Sequence, residues 1–484
     1  MPSGITVVGL GTGDPGTITK RAWQVLNDAK EIHLRTRQHP AVDHLPQNLE
    51  IHSFDSLYEK LQDFEAIYQA IVERLIDLAR RQQGVIYGVP GDPWVGEATV
   101  QQLSRQAAEL GLPFEVIHGV SFVQPCLALI GKDALDGLVI EDALKLASKH
   151  HPTFSPDAPV LIGQLHSQMV ASEVKLVLMN QYPGEHEVCL LHAAGTPEAE
   201  MEALPLFELD RSRRIGDLTA LYVPPLAMPS SFESFQETVA HLRAPEGCPW
   251  DKEQTHRSLR PHLLEEAFET LQALDEEDAD ELREELGDLL LQIVLHAQIA
   301  TEAGTFTMAE AIASINDKII RRHPHVFGNL ELQDVDQVLH NWEALKAGER
   351  DGEEHAGGLM EGVPKTLPAL AQAWEMQSRA ARVGFDWPEV EGVLDKLSEE
   401  IEEVREAQDP RARESEIGDL LFALVNYARW LGLDPESALR EANTRFRRRF
   451  ASIEAEAYKS GRTLTEMTLE EMEALWQMAK GKEG

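Results

Sequence analysis

The chain has 484 residues, with 26% charged and 43% apolar side chains, values that are typical of globular proteins, and its length predicts about three domains. The formal net charge is −38, of which residues 224–484 carry −26, so the surface repels nucleic acid polymers and anionic membranes. Cys126, Cys189 and Cys248 match neither a disulfide framework nor a zinc motif, and reduced thiols are expected.

The amino terminus runs directly into a strand rich in β-branched residues, Ile5–Gly9. It lacks a basic stretch followed by a long apolar core, so no signal peptide is expected. No run of about 20 apolar residues could span a bilayer. We therefore expect a cytoplasmic protein without a membrane partner.

Residues 1–223 alternate short β-branched runs with helical stretches, which indicates an α/β domain with a largely parallel sheet. The first strand leads into a glycine-rich loop at 9–15, and the strand at 84–89 leads into Pro90-Gly91-Asp92-Pro93. From the residues alone, the first loop is a tight strand-to-helix turn. It lacks the third glycine of a dinucleotide-binding fingerprint, so NAD binding is disfavoured.

Three prolines in the segment 224–231 predict an extended linker, because proline removes backbone donors. Beyond this segment, apolar residues recur at helical spacing and strand signals almost vanish. An internal repeat divides the helical half, since residues 287–294 resemble residues 418–425. A polar, Gly-rich connection at 347–362 is predicted between two all-α modules, at 232–350 and 363–484.

Each module carries two pairs of acidic side chains three residues apart, and this spacing places both members of a pair on one helix face. The pairs are Glu266 and Glu269 with Glu285 and Asp288 in the first module, and Glu400 and Glu403 with Glu416 and Asp419 in the second. A single cluster of this kind is usually a solvated face, but here the pattern recurs and each second pair opens an apolar run. A hard divalent ion would neutralise the four carboxylates, and Mg²⁺ commonly joins such ligands to substrate phosphates. Phosphate ester or anhydride chemistry is therefore predicted.

Polar residues distinguish the second module from the first. Asn426 lies two turns beyond the second acidic pair, where the first module has Leu295. The amide of asparagine can hydrogen-bond a substrate phosphate or sugar, and a leucine cannot. Arg445 and Arg449 share a helical face that suits a polyphosphate, with ion pairs to nearby glutamates as an equal alternative. Trp476 suits stacking on a base, although most such aromatics belong to a core. The second module is predicted to be the catalyst, and the first a structural or weakly active partner.

Several segments together resemble a known family. They are residues 247–255, both sets of acidic pairs, residues 322–327 and residues 383–387. Over nearly all of 232–480 they resemble the two-module MazG family of nucleoside triphosphate pyrophosphohydrolases. The resemblance implies an all-α homodimer or higher oligomer that binds Mg²⁺ and splits a (deoxy)nucleoside triphosphate into the monophosphate and pyrophosphate. It also implies Glu400, Glu403, Glu416 and Asp419 as metal ligands, and Asn426, Arg445, Arg449 and Trp476 as nucleotide-binding residues.

The amino-terminal half resembles the tetrapyrrole (corrin/porphyrin) methylase family, through the loops at 9–15 and 87–94. The whole chain looks like the fused methylase and MazG proteins of bacteria. This resemblance implies a two-lobed α/β fold that holds S-adenosylmethionine near Gly91, Asp92, Pro93 and Ser121, with Asp14 as the acidic residue of the first loop. Residues 118–122 and 11–15 depart from the patterns of that family, so the methyl acceptor is not indicated.

Three functional hypotheses follow. The first is an Mg²⁺-dependent hydrolase in which water attacks the α-phosphorus and pyrophosphate leaves, with Glu399 or another outer carboxylate as the base. The second is an S-adenosylmethionine-dependent methyltransferase whose helical half assembles the oligomer. The third makes the first domain a ligand sensor that tunes the hydrolase. The first is favoured because its residues recur as a set, whereas the methylase motifs depart from their pattern.

Overall fold

The computed structural model describes residues 4–61, 63–330, 332, 334, 337–338, 341–342 and 359–481, which form two compact units, Met1–Gly247 and Cys248–Gly484. Most of the predicted connection at 347–362 lies outside the described residues. The module boundaries at 350 and 484 do so as well. The predicted combination of an α/β domain with a helical half is confirmed.

The first unit begins with a five-stranded parallel sheet in the order β3-β2-β4-β1-β5. Its strands are β1 (Ile5–Gly9), β2 (Glu31–Leu34), β3 (Glu50–Ser53), β4 (Val85–Val89) and β5 (Phe114–Ile117). Its helices are α1 (Lys20–Asp28), α2 (Asp55–Lys60), α3 (Phe64–Ala79) and α4 (Ala98–Glu109). The side chains alternate between two apolar clusters, so that Val7 and Tyr87 lie in one and Val8 and Ile86 in the other. A fully covered parallel sheet results.

A second five-stranded sheet follows in the order β6-β7-β10-β8-β9. Its strands are β6 (Val139–Asp142), β7 (Val160–Gly163), β8 (Glu187–His192), β9 (Glu200–Pro205) and β10 (Thr219–Val223), and its helices are α5 (Val123–Ile130), α6 (Ala143–Ala147) and α7 (Gln168–Leu178). Only β6 and β7 pair in parallel. The prediction of largely parallel pairing was therefore wrong for this sheet. The connection from His192 to Glu200 is too short for the crossover that parallel neighbours need.

The segment 224–231 contacts the first unit rather than projecting from it. Leu226 packs against the core of the second sheet. The carboxylate of Asp157 accepts hydrogen bonds from the backbone N–H groups of Ser230 (2.8 Å) and Ser231 (3.0 Å) and from the Ser234 hydroxyl (2.5 Å). Ser231 also caps the next helix, α8 (Phe232–Arg243), through the Ser234 N–H. Asp157 thus attaches α8 to the first unit.

We expect Asp157→Asn to lower the melting temperature at pH 7 by roughly 2–4 °C, because it weakens these charge-assisted hydrogen bonds. Partial burial alone would raise the pKa of Asp157. The hydroxyls of Ser234 and Ser231 and two backbone N–H groups outweigh it and lower this pKa to about 2. Because the pKa of Asp157 is lower in the folded protein than in the unfolded chain, its carboxylate stabilises the folded state above about pH 4. This stabilisation disappears as the pH falls to about 2. Thermal unfolding from pH 7 to pH 2 measures both effects. The exposed Asp28→Asn is the control, and equal melting temperatures for all three proteins would contradict the attachment.

The second unit is built from helices among its described residues. They are α9 (Pro249–Glu253), α10 (Arg260–Glu276), α11 (Ala279–Glu302), α12 (Met308–Arg322), α13 (Pro324–Phe327), α14 (Ala369–Arg382), α15 (Val390–Glu406), α16 (Pro410–Trp430), α17 (Pro435–Lys459) and α18 (Leu469–Gly481). Within the parts of the chain that are described, no helix is both long and apolar enough to cross a membrane.

Two helical hairpins, α10 with α11 and α15 with α16, carry the acidic pairs. The carboxylate of Asp278 caps α11 by accepting the N–H groups of Asp280 and Glu281. Asp409 caps α16 in the same way, and Pro410 follows at the first helical position. The short turns between the helices make each pair antiparallel, so the acidic face of one helix lies opposite that of the next.

Candidate functional site

The acidic residues of the second module converge between α15 and α16. One carboxylate oxygen from each of Glu400, Glu416 and Asp419 lies within 4.8 Å of the others. Glu400 is only 3% exposed, whereas Asp419 is exposed to solvent. Glu403 lies one turn further along α15, and its pKa is raised by desolvation and then by the neighbouring carboxylate of Glu400. All four predicted metal ligands of this module therefore occupy one neighbourhood.

The first module repeats the arrangement between α10 and α11. Carboxylate oxygens of Glu266, Glu269 and Glu285 lie within 4.8 Å of one another. Desolvation raises the pKa of Glu266 and of Glu285, and the carboxylates of Asp288 and Glu269 raise both further. Asp288 is thus close enough to act on Glu266 and Glu285. The predicted set is brought together here as well.

Both clusters fit a divalent cation. Oε2 of Glu400 and Oε2 of Glu285 are buried and have no hydrogen-bond partner among the described residues, which is costly for a carboxylate. Desolvation raises the pKa values of Glu266, Glu285 and Glu403, and repulsion from neighbouring carboxylates raises them further. A cation among these oxygens would satisfy the unpaired atoms and remove the repulsion, and sets made only of carboxylates favour hard ions.

Lys396 is a neighbour of the second cluster that the sequence analysis missed. Its ammonium lies 2.7 Å from Oε1 of Glu400 and 3.0 Å from Oε1 of Glu399, and these two contacts raise the pKa of Lys396. Glu399, the predicted base, is therefore turned toward a lysine on its own helix. The spacing of four residues between Lys396 and Glu400 was the available signal. The corresponding residue of the first module is His262, which faces Glu265 at 3.5 Å.

Asn426 is held by partners that were also missed. Its side chain is 5% exposed, and its Oδ1 accepts hydrogen bonds from Nε (3.0 Å) and Nη2 (2.8 Å) of Arg429. Nη2 of Arg429 also donates to Oδ1 of Asp386 at 2.6 Å, and the Trp430 indole donates to the same oxygen at 3.2 Å. Although partial burial opposes it, these bonds keep the pKa of Asp386 below its usual value. Because Asn426 accepts through its oxygen, its NH₂ group remains the donor it can offer a ligand.

Arg445, Arg449 and Trp476 form a separate group on α17 and α18. Arg445 pairs with Glu441 at 2.6 Å, which is the ion pair that the sequence analysis left as the alternative. The Arg449 guanidinium lies 5.5 Å from the centre of the Trp476 ring, and this ring packs against Phe446 at 5.2 Å. The Arg449 contact thus joins α17 to α18, and Arg445 forms its ion pair within α17.

In the first unit, three glycine loops meet at the carboxyl ends of β1, β4 and β5. Gly11 and Gly91 exchange backbone hydrogen bonds of 3.3 and 2.7 Å. A Cβ on Gly9 or Gly119 would lie within 2.6 Å of the Gly91 carbonyl oxygen. The loops therefore approach so closely that only glycine fits at these two positions.

The predicted cofactor residues of this unit are distributed around those loops. Gly91 lines a cavity of about 550 Å³, which is also lined by Arg35 and Glu97, an ion pair of 2.7 Å. The remaining predicted residues, Asp14, Asp92, Pro93 and Ser121, are not among the lining residues, although Pro90 is. Asp14 caps a turn through the Gly16 N–H (2.6 Å), Asp92 faces Nδ1 of His118 at 2.9 Å, and the Ser121 hydroxyl donates to Gln124 (2.6 Å).

Comparisons with known proteins bear on both units. The model for Tetrapyrrole (Corrin/Porphyrin) Methylases matches residues 4–210, and that for the MazG nucleotide pyrophosphohydrolase domain matches residues 254–327. The uncharacterized protein YabN of Bacillus subtilis is 42% identical over 497 residues, covering 100% of this chain and 99% of YabN. The nucleoside triphosphate pyrophosphohydrolase/pyrophosphatase MazG of Thermotoga maritima is 47% identical over 250 residues, which cover 52% of this chain and 96% of that protein.

The nucleoside triphosphate pyrophosphohydrolase of Escherichia coli K12 is also 47% identical, over 248 residues that cover 50% of this chain and 94% of the relative. The alignment with YabN spans both units, whereas the two pyrophosphohydrolases correspond in length to the helical half. The resemblance inferred from the motifs is confirmed. The chain belongs to the MazG nucleotide pyrophosphohydrolase family, in the form that carries a tetrapyrrole methylase domain before the helical half.

Proposed function

We propose that the helical half hydrolyses nucleoside triphosphates to nucleoside monophosphates and pyrophosphate with Mg²⁺, and that the cluster between α15 and α16 is the catalytic one. The observation that carries this proposal is the convergence of Glu400, Glu416 and Asp419, with a buried, oriented Asn426 two turns beyond Asp419 on the same helix. The family membership supports the reaction.

Four carboxylates would hold the metal in this mechanism, those of Glu400, Glu403, Glu416 and Asp419. A bound Mg²⁺ would neutralise the triphosphate and lower the pKa of a coordinated water. Oxygen-only ligands favour Mg²⁺ over softer ions. The ammonium of Lys396 meanwhile limits the negative charge that Glu400 carries into the protein interior.

The remaining side chains position substrate and protons. The Asn426 NH₂ group donates to a phosphate or sugar oxygen, while Arg429 fixes the orientation of the amide. Arg445, Arg449 and Trp476 are proposed to bind the nucleotide from α17 and α18. Glu399 or another outer carboxylate takes the proton from the attacking water.

Measurement of pyrophosphate release over all ribo- and deoxyribonucleoside triphosphates tests the proposal, with Mg²⁺ and with excess chelator. We expect metal-dependent release of pyrophosphate and monophosphate in equal amounts. Release of orthophosphate instead, or no release from any substrate, would overturn it. The same screen with S-adenosylmethionine examines the first unit.

For the first unit we propose S-adenosylmethionine binding in the cavity next to Gly91, supported by the methylase match to residues 4–210. The domain then acts either as a methyltransferase, with the helical half as its oligomerisation module, or as a sensor that regulates the hydrolase. Calorimetry on the full chain measures the binding. A change in pyrophosphate release on binding favours the sensor, and no heat of binding contradicts both roles.

We propose a homodimer or higher homo-oligomer because both hairpins expose the same apolar stripe. The stripe is Leu286, Leu290 and Ile293 on α11, and Ile417, Leu421 and Leu424 on α16, each 36–52% exposed. The spacings of three and four residues place each set on one helix face. Apolar faces that recur in two copies beside two carboxylate clusters suit helix packing against a second copy of the chain.

Accordingly, Leu421→Glu is expected to weaken self-association and to lower pyrophosphate release severalfold, because a carboxylate would enter an apolar interface. Light scattering with size-exclusion chromatography gives the mass, and the assay is run across a range of protein concentrations. The control is Leu469→Glu, at an exposed leucine outside the stripe. A Leu421→Glu protein with unchanged mass would contradict the interface.

A further inference from the structure

Two imidazoles and a carboxylate meet at the β3 edge of the parallel sheet, and none of the three side chains lines the cavity described above. His33 on β2 is in register with His52 on the edge strand β3. Glu31 lies two residues before His33 and therefore faces the same side of the sheet. One ligand atom from each of the three side chains lies within 4.8 Å of the others.

His33 carries an unsatisfied nitrogen in this cluster. Its side chain is 9% exposed, and its Nε2 is buried without a hydrogen-bond partner in the part of the chain that the structure describes. The rings of His33 and His52 stack with centroids 4.7 Å apart and planes 19° from parallel. Burial and the neighbouring His52 lower the pKa of His33 to about 4, so its imidazole is neutral near pH 7. A neutral ring retains a lone pair that can bind a metal ion.

The surrounding charges hold the other two side chains. Arg81 pairs with Oε1 of Glu31, which leaves Oε2 of that carboxylate for another partner. Oε1 of Glu50 lies 3.3 Å from Nε2 of His52. The guanidinium groups of Arg81 and Arg74 oppose a further cation, whereas the carboxylates of Glu31 and Glu50 offset them. Charged and hydrogen-bonding groups that contact the ligands, but not the metal itself, commonly orient metal ligands.

We propose that Glu31, His33 and His52 form a zinc site with one open coordination position. Two imidazoles with one carboxylate suit Zn²⁺, whereas the oxygen-only helical clusters suit Mg²⁺. Tetrahedral zinc donors lie about 3.4 Å apart, so ligand atoms as far apart as 4.8 Å would have to approach by up to about 1.4 Å. His52 and Glu31 are partly exposed and have room to do so.

Zinc at this position would join the edge strand β3 to its neighbour β2. α2 follows β3 directly, and its residues Asp55, Tyr58 and Glu59 line the cavity of the first unit. The metal would therefore stabilise one wall of that cavity.

Equilibrium dialysis of the metal-free full-length protein against Zn²⁺ tests the proposal, with millimolar Mg²⁺ present to occupy the carboxylate clusters. We expect one tightly held zinc per chain in the wild type. His52→Ala and His52→Gln should each weaken this binding at least tenfold, and the exposed His44→Ala should leave it unchanged. Circular dichroism establishes that the variants are folded.

Co²⁺ in place of Zn²⁺ gives a second readout, since its intense visible absorption reports tetrahedral coordination. The absorption should appear in the wild type and in His44→Ala, and disappear in both His52 variants. Absence of zinc retention by the wild type under Mg²⁺, or equal retention by the His52 variants, would overturn the site.

Discussion

We expect Glu400→Gln to lower pyrophosphate release by about a hundredfold or more at saturating Mg²⁺. Glu400 is the most buried ligand of its cluster, and its Oε2 finds no partner on any residue that the structure describes. Glutamine keeps the shape but loses the negative charge that holds a cation. The amide can still accept a hydrogen bond from Lys396, so the fold should persist. A coupled pyrophosphate assay gives the rate, and calorimetry with Mg²⁺ gives the change in metal affinity.

Two matched variants make this prediction specific. Glu402→Gln changes a carboxylate on the same helix that pairs with Arg405 on the surface, and it should leave the rate within about twofold. Glu266→Gln makes the equivalent change in the first module and should have a small effect. If Glu266→Gln alone abolishes activity, the catalytic assignment is reversed. If Glu400→Gln retains most of the activity, the carboxylate cluster between α15 and α16 is not the catalytic site.

Local patterns in the sequence predicted most of the fold. The acidic pairs could be placed on facing helices because their spacing depends only on neighbours along the chain. The helix caps Asp278 and Asp409 are also local, but the prediction did not use them. The antiparallel pairing in the second sheet was not predicted, because strand order depends on contacts between distant segments. The β-branched runs alone are compatible with either pairing.

The same distinction holds for the sites. Lys396 and Glu400 are four residues apart, so their contact was accessible to sequence reasoning and was overlooked. Arg429 reaches Asp386 across 43 positions, and no local spacing indicates that contact. The proximity of His33 and His52 requires the register of β2 on β3, which only the structure supplies. Long-range side-chain partners are thus the part that sequence patterns do not specify.

Asn426→Leu should reduce kcat/KM for a nucleoside triphosphate by about ten- to a hundredfold, the usual loss for a hydrogen bond to a charged group. This change gives the second module the residue that the first has at Leu295. Leucine nearly matches asparagine in shape but cannot donate to a phosphate or sugar oxygen. The carboxylate cluster is untouched, so Mg²⁺ affinity should remain within about twofold of the wild type. Steady-state kinetics and Mg²⁺ calorimetry on the same preparations separate these effects.

Arg429→Lys examines how the amide is oriented. Two hydrogen bonds from Arg429 fix Oδ1 of Asn426, and a lysine cannot reproduce both while contacting Asp386. We expect a smaller loss than for Asn426→Leu, and little further loss in the double variant, because the two residues act as one unit. Asn443→Leu, at an exposed asparagine on α17, controls for the substitution itself. Additive losses in the double variant would show that Arg429 does not act through Asn426. A fully active Asn426→Leu enzyme would show that Asn426 does not distinguish the second module from the first.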